Sequence, residues 1–187
     1  LTKEYGEWKH QSKHQFYVTE KLDGSSATYY IKDGEFGVCS RNLELLETEG
    51  NTFWKVAREL NLEENMKATG KNISLQGELI GEGIQGNPYK IKGQTVRFFT
   101  GFDIDKYQRI SFPELVVMLS DMGLQYVPIL NQELGFVLPE TVEDMLKYAE
   151  AKSVLNDKTE REGVVVRSMD GTISFKAISN KFLLNEK

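Results

Sequence analysis

Alternating apolar and polar residues mark several short strands in this chain, and two pairs of strands are separated by Asp-Gly. Asp33-Gly34 lies between ATYYIK and EFGVCS, and Asp170-Gly171 lies between GVVVRS and TISFKA. An Asp-Gly pair between β-rich runs predicts a hairpin, because both central residues of such a turn take positive φ values. Further strands are predicted from the run that begins at Phe16, from ISLQGEL and from VRFFTGFDI.

Helices are predicted over three stretches, TFWKVARELNLEENM, FPELVVMLSDM and TVEDMLKYAEAK. Ser111 and Thr141 stand at N-cap positions, and Pro113 follows in the first turn of the second helix. Hairpins interleaved with helices predict an α+β domain with mainly antiparallel sheets flanked by helices. Since no internal repeat or Pro/Gly/Ser linker interrupts the pattern, residues 1–187 are interpreted as one domain.

The hairpins also predict which residues face each other. A two-residue loop in the first hairpin pairs Ser26 with Arg41, and one in the second pairs Val165 with Lys176. Arg167 and Lys176 then share a polar face, which is expected to contact a negatively charged group. The opposite face of the second hairpin is expected in the core and carries Val164, Val166, Phe175 and Ala177.

Composition narrows the class of protein. The 187 residues are 40% hydrophobic and 27% charged, which is ordinary for a globular domain. No apolar run approaches 18 residues and no signal peptide is evident, so no membrane partner is expected. Cys39 is the single cysteine, which excludes an internal disulfide and a cysteine zinc cluster and fits a reducing, cytoplasmic or otherwise intracellular compartment.

Charge narrows the location of any binding site. The net charge of -5 argues against a broad basic surface but permits a local basic groove. Acidic residues concentrate over 42–64, so a site for a polyanion is expected elsewhere.

Five polar elements follow one another along the chain: Lys21 with Asp23-Gly24, Ser40-Arg41-Asn42, Gly77-Glu78, Glu162-Gly163 and Phe175-Lys176. Each alone has an ordinary explanation. Glu78 could be an exposed strand residue, Glu162 a solvated turn residue, Lys176 a side chain lying along the sheet and Phe102 a core residue. Their joint order favours a functional site.

That order resembles the covalent nucleotidyltransferase superfamily, which contains ATP-dependent DNA and RNA ligases and GTP-dependent mRNA capping enzymes. EKLDGSS is similar to the first motif, Lys-x-Asp-Gly, and SRN to the arginine motif that follows. GELIGEG looks like the third motif, FFTGFDI like the aromatic element after it, EGVVVRS like the fourth motif and SFKAISNKFLL like the fifth. The resemblance spans residues 16–184 and implies an ATP-grasp-like nucleotidyltransferase domain.

Within the superfamily, GELIGEGIQGNPY, FFTGFDI and SNKF look most like RNA ligases. The likeness is to the second phage RNA ligase type, the kinetoplastid editing ligases and the repair ligases of Deinococcus and Naegleria. Family members carry a further domain, often an OB fold. Few residues precede Lys21 or follow Lys176, so that domain is expected to be absent from this chain.

The resemblance implies a role for each matched residue. Lys21 would attack the α-phosphorus of ATP to form lysyl-AMP, and Lys176 would hold the α-phosphate. Glu78 would bind the ribose hydroxyls and Phe102 would stack on adenine. The other predicted nucleotide contacts are the backbone near Glu20 for the adenine edge, Arg41 for ribose or phosphate, and Lys181 for phosphate.

The same resemblance implies a metal ion and a set of substrates. Glu162, with Asp23 in the hydration shell, would bind Mg²⁺ or Mn²⁺. ATP would donate AMP to RNA ends, including those of nicked RNA/DNA duplexes, and the protein is expected to be a monomer. The chain departs from the family at Ile178, where a second lysine is usual, and Lys181 is the candidate replacement.

Other functions stay open. DNA ligase-type nick sealing could use the same site, and a non-catalytic nucleotide- or nucleic-acid-end-binding module could keep the fold. The presence of the lysines and carboxylates of all the motifs argues against the latter. A capping enzyme is less favoured, because GTP would call for different base contacts.

Overall fold

A computed structural model describes residues 4–10, 15–131 and 136–185. Two compact units make up the chain: a terminal unit, Leu1–Asp23 with Val127–Lys187, and a central unit, Gly24–Tyr126. The strands are β1 (Phe16–Lys21), β2 (Ser25–Lys32), β3 (Glu35–Cys39), β4 (Ile73–Gly81), β5 (Gln94–Asp103), β6 (Gln108–Arg109), β7 (Gln125–Tyr126), β8 (Gly163–Ser168) and β9 (Ser174–Ile178). The helices are α1 (Tyr5–His10), α2 (Thr52–Glu59), α3 (Leu62–Ala68), α4 (Phe112–Asp121), α5 (Val142–Ala149) and α6 (Asn180–Asn185).

The terminal unit is built on an antiparallel sheet in the order β1-β8-β9. Lys21 pairs with Gly163, and Val165 pairs with Lys176, as the two-residue loop at Asp170-Gly171 predicts. One face of the sheet packs with α5 residues such as Met145 into an apolar core. The predicted core residues of the second hairpin are confirmed there: Val164, Val166, Phe175 and Ala177.

The central unit holds a second sheet in the order β3-β2-β4-β5-β6, antiparallel throughout, with β7 joining β5 in parallel. Asp33 and Gly34 form the predicted hairpin turn, both with positive φ. The expected pairing of Ser26 with Arg41 is wrong, because the β2–β3 ladder ends at Cys39. The chain turns there, since the Ser40 amide donates to the Leu43 carbonyl at 2.9 Å.

The observed helices largely match the predicted ones, with one exception. The predicted helix over 52–66 is two helices, α2 and α3, because Asn61 adopts a left-handed conformation with φ 50°. Asparagine accepts this conformation more readily than most residues. Helix α4 begins at the predicted cap, where Ser111 Oγ accepts a hydrogen bond from the Glu114 amide.

The α+β class with mainly antiparallel sheets is confirmed. Helices α1 and α6 and the short strands β6 and β7 were not predicted. No helix in the described ranges is long and apolar enough to span a membrane.

Candidate active site

Lys21 is the last residue of β1 and lies on the face of the terminal sheet that is turned away from the core. Its Nζ lies 3.0 Å from Glu162 Oε1, and the two side chains are 27% and 18% exposed. Glu162 immediately precedes β8, and Lys21 pairs with the next residue, Gly163. The sheet register therefore brings the predicted nucleophile and the predicted metal ligand into direct contact.

Lys176 shares this face with Lys21 but lies on β9, two strands across the sheet with β8 between them. It is exposed and pairs with Val165, which in turn pairs with Thr19 of β1. Strand spacing and rise put its Cα about 12 Å from that of Lys21. Both ammonium groups can therefore approach a single phosphate from two sides.

Ile178 occupies the same row as Lys21, with Gly163 between them. A Cβ added to Gly163 would lie 2.1 Å from the Ala177 carbonyl oxygen. Glycine is therefore required for β8 to approach β9 at this point. The family's second lysine would stand in Lys21's own row, and here that position holds a half-buried isoleucine.

Glu20 points to the opposite side from Lys21 and is 1% exposed. Its carboxylate accepts hydrogen bonds from Ser153 Oγ and from the Val154 amide, both at 2.7 Å. Its own amide donates to the Pro128 carbonyl at 2.9 Å, so base recognition near Glu20 would need another backbone group. The sequence pattern did not show that this side chain anchors a distant loop.

Arg161 is a second buried charge that the sequence analysis missed. Its Nε donates to the Ala149 carbonyl at 2.9 Å and its Nη2 to the Tyr148 carbonyl at 2.5 Å, at the end of α5. Burial lowers the pKa of this guanidinium, and the nearby charges of Tyr148 and Glu20 oppose that shift. By holding the end of α5, Arg161 fixes the backbone immediately before Glu162.

Asp23 and Lys181 also belong to the terminal unit. Asp23 is half-buried and lines a cavity of 410 Å³, and Glu162 is not among the residues of its wall. Lys181 is exposed on α6. Across the described ranges, no three His, Cys, Asp or Glu side chains are grouped to hold a metal ion.

Glu78 and Phe102 lie on the face of the central sheet that is turned away from its core. Glu78 is half-buried on β4 and pairs with Ser26 of β2 and Arg97 of β5. Phe102 pairs with Ser74 and packs edge-on against Tyr107, with ring centroids 5.4 Å apart. Arg41 is exposed in the turn after β3, in the same unit.

Phe99 is an aromatic residue of β5 that the sequence analysis passed over. Gln76 pairs with Thr100 and Gly77 with Phe98, so Phe99 is the extra residue of a β-bulge. Phe98 is fully buried in the core of the central unit, whereas Phe99 is half-buried. The sequence gives no signal for a bulge at this position, because its place depends on how β5 pairs with β4.

Gly24 follows the Lys-x-Asp element at the start of the central unit. A Cβ at this position would lie 2.2 Å from the Leu79 carbonyl oxygen and 3.1 Å from Glu78 Cγ. Glycine is required here because β4 lies against it.

An α+β fold with two antiparallel sheets, and a strand-end lysine that contacts a carboxylate, is the arrangement expected of the nucleotidyltransferase class. The sequence model of the family described as RNA ligase matches residues 14–181, so the chain belongs to the RNA ligase family. The resemblance found in the sequence is confirmed. No curated protein sequence gives a significant match.

Solved structures of RNA ligase from Naegleria gruberi are similar to this chain. Mutants with ATP and Mn and with AMP and Mn each give a TM-score of 0.91 at 41% identity, covering 100% of this chain and 55% of theirs. The ligase with PPi gives 0.90 at 41% identity, covering 97% and 54%. The chain thus spans about half the length of these ligases.

Proposed function

We propose that this chain is the adenylyltransferase part of an ATP-dependent RNA ligase and that it forms a covalent lysyl-AMP at Lys21. The observation that carries the proposal is the 3.0 Å contact between Lys21 Nζ and Glu162, on the sheet face that also bears Lys176. The Naegleria structures support it, since they contain ATP, AMP or PPi, the substrate and products of such chemistry.

In the first step the neutral Lys21 amine attacks the α-phosphorus of ATP. The N–P bond forms, the bond from the α-phosphorus to the bridging oxygen breaks, and pyrophosphate leaves with the electron pair. Glu162 Oε1 is within hydrogen-bonding distance of Nζ and can take the proton that the ammonium must lose. Lys176 attracts the α-phosphate, so positioning and charge neutralisation provide the catalysis.

The donor set fits Mg²⁺ or Mn²⁺. Mg²⁺ is usually held by one or two carboxylates together with water and substrate phosphates, and it does not need a cluster of protein ligands. Glu162 is a partly exposed carboxylate of this kind, and the described residues contain no group of three ligands. When bound, the ion would neutralise phosphate charge. Asp23 is proposed as a water-mediated partner, two residues from Lys21.

The later steps would transfer AMP to a 5′-phosphate and join the strands. The 5′-phosphate oxygen attacks the AMP phosphorus, and the Lys21 N–P bond breaks to restore the amine. A 3′-hydroxyl oxygen then attacks the activated 5′-phosphate and loses its proton to water. The bond from that phosphorus to the oxygen of AMP breaks, and AMP leaves with the electron pair. Family membership favours RNA as the strand.

For the adenine base, we propose stacking on Phe99 rather than on Phe102. If Glu78 binds the ribose, the distance from the Glu78–Arg97 pair to the base cannot exceed the length of one nucleoside. A rise of 3.4 Å per residue puts Phe99 about 7 Å from that pair and Phe102 about 15 Å away. Phe102 also packs against Tyr107.

The pair of phenylalanines can be compared directly. Stacking contributes ~1–3 kcal/mol per base, so Phe99→Leu should raise the KM for ATP in adenylylation at least about fivefold. Phe102→Leu should change it less than about twofold. The opposite ranking would restore Phe102 as the stacking residue.

The test of the function is incubation with ATP labelled on the α-phosphate, with Mg²⁺ or Mn²⁺, and in parallel with labelled GTP. We expect one AMP per chain on a denaturing gel and by intact mass, and no adduct with GTP or in Lys21→Ala. Lys147→Ala, an exposed lysine on α5, is the matched control and should label normally. ATP binding without an adduct would indicate a non-catalytic module, and sealing of DNA but not RNA nicks would indicate a DNA ligase.

A further inference from the structure

The 410 Å³ cavity of the terminal unit is polar. Two of its lining residues, Asp23 and Glu160, are each two positions in the sequence from a residue of the proposed active site. One wall contains Asp23, two residues after Lys21, and another is formed by both ends of the segment 152–160, which precedes Glu162. Apart from Asp23, its residues have no part in the adenylylation chemistry proposed above. The cavity is lined by Asp23, Lys152, Lys158, Thr159, Glu160, Phe182 and Asn185.

The segment that forms this wall is held in place by several contacts. Lys152 and Glu160 form an isolated β-bridge and an ion pair of 2.7 Å. The Ser153 amide donates to the Thr159 carbonyl at 2.8 Å, and Ser153 Oγ donates to the buried Glu20 carboxylate. The wall is therefore anchored to the strand that carries Lys21.

Three kinds of side chain meet in the cavity. Lys158 is exposed and has no carboxylate within ion-pair distance in the described part of the chain, whereas Lys152 is neutralised by Glu160. Asn185 offers an amide, which can both donate to and accept from a hydroxyl. Phe182, half-buried on α6, offers an aromatic ring.

We propose that this cavity binds one nucleotide of the RNA strand, with its phosphate on Lys158, its 2′-hydroxyl on Asn185 and its base against Phe182. A cation, a hydroxyl partner and an aromatic ring are the groups by which proteins hold single ribonucleotides. The inference rests on the proposed function and adds a site that distinguishes RNA from DNA.

Charge decides against the triphosphate of ATP as the occupant. Lys152 and Lys158 face two carboxylates, Asp23 and Glu160, so the four charges cancel. A polyphosphate with three or four negative charges would be repelled by the carboxylates. A strand brings one charge per nucleotide, together with hydroxyls that a carboxylate can accept from.

The first measurement is the affinity of the chain for a 5′-phosphorylated single-stranded RNA between 0.05 and about 1 M salt, for Lys158→Ala and the control Lys147→Ala. One lost phosphate contact should reduce the slope of log K against log salt by about 0.7, which is about fivefold weaker binding at 0.1 M. Lys158→Arg should restore binding. Lys158→Ala that matches Lys147→Ala at every salt concentration would overturn the proposal.

The second measurement compares RNA with DNA of the same sequence. Wild type should prefer RNA, and Asn185→Ala should reduce that preference without changing DNA affinity. If Asn185→Ala keeps the same preference for RNA, the proposed contact between Asn185 and the 2′-hydroxyl is wrong. Lysyl-AMP formation without RNA is measured in parallel: its absence in wild type contradicts the proposed function, while the salt slopes still decide whether the cavity binds RNA.

Discussion

Replacing Glu20 tests whether the buried carboxylate beside the predicted nucleophile holds the site together. The carboxylate is 1% exposed and accepts from Ser153 Oγ and the Val154 amide, both at 2.7 Å. Glu20→Ala removes both bonds and leaves a cavity. Glu20→Gln keeps the shape: its amide oxygen can accept from Val154, and its NH₂ can donate to Ser153 Oγ.

The magnitudes separate the two variants. A hydrogen bond to a charged group contributes ~1.5–3 kcal/mol, so Glu20→Ala should lower the free energy of unfolding by about 3–6 kcal/mol. Glu20→Gln loses the charge assistance but keeps both contacts, which should cost about 1–2 kcal/mol. Both variants lose the attraction to Arg161, so their difference reports the two hydrogen bonds together with the cavity that alanine leaves.

The assay is urea unfolding together with the rate of lysyl-AMP formation. We expect stability in the order wild type, Glu20→Gln, Glu20→Ala, and adenylylation in the same order, because Lys21 directly follows Glu20. Glu143→Ala, an exposed residue of α5, is the control and should cost no more than about 1 kcal/mol. If Glu20→Ala falls within 1 kcal/mol of wild type, or if Gln costs as much as Ala, the anchoring role is refuted.

Two further predictions concern the sheet and the acidic segment. Gly163→Ala should lower the free energy of unfolding by more than about 3 kcal/mol in thermal or urea melts, because its Cβ would meet the Ala177 carbonyl oxygen at 2.1 Å; wild-type stability would contradict this. A hydrogen bond from Arg58 lowers the pKa of Glu47, and bonds from Lys67 and Arg58 lower that of Glu63. Lowered carboxyl pKa values stabilise the fold above the unfolded value of about 4.3 and lose that effect as the pH falls through the folded value. The stability difference between wild type and Arg58→Ala should therefore shrink between pH 7 and pH 3.5 in urea unfolding, and a pH-independent difference would exclude the ion pairs as its cause.

The two hairpins show which strand pairings can be predicted from local sequence and which cannot. Turn chemistry at Asp170-Gly171 and period-two alternation were enough to predict that Val165 pairs with Lys176. The same reasoning failed for Ser26 and Arg41, because the length of a ladder depends on contacts beyond the turn. Here the Ser40 amide bonds to Leu43 and ends β3.

The sequence by itself determined the α+β class, the motif order and the residue types of the site, because alternation, turn residues and motif spacing are local properties. Tertiary structure alone decided that Lys21 contacts Glu162 and that Glu20 binds Ser153, a residue 133 positions away. It also decided that Phe99 is the extra residue of a bulge in β5, two residues from the Arg97 that pairs with Glu78. These contacts depend on strand pairing and loop packing between distant segments, which no local pattern specifies.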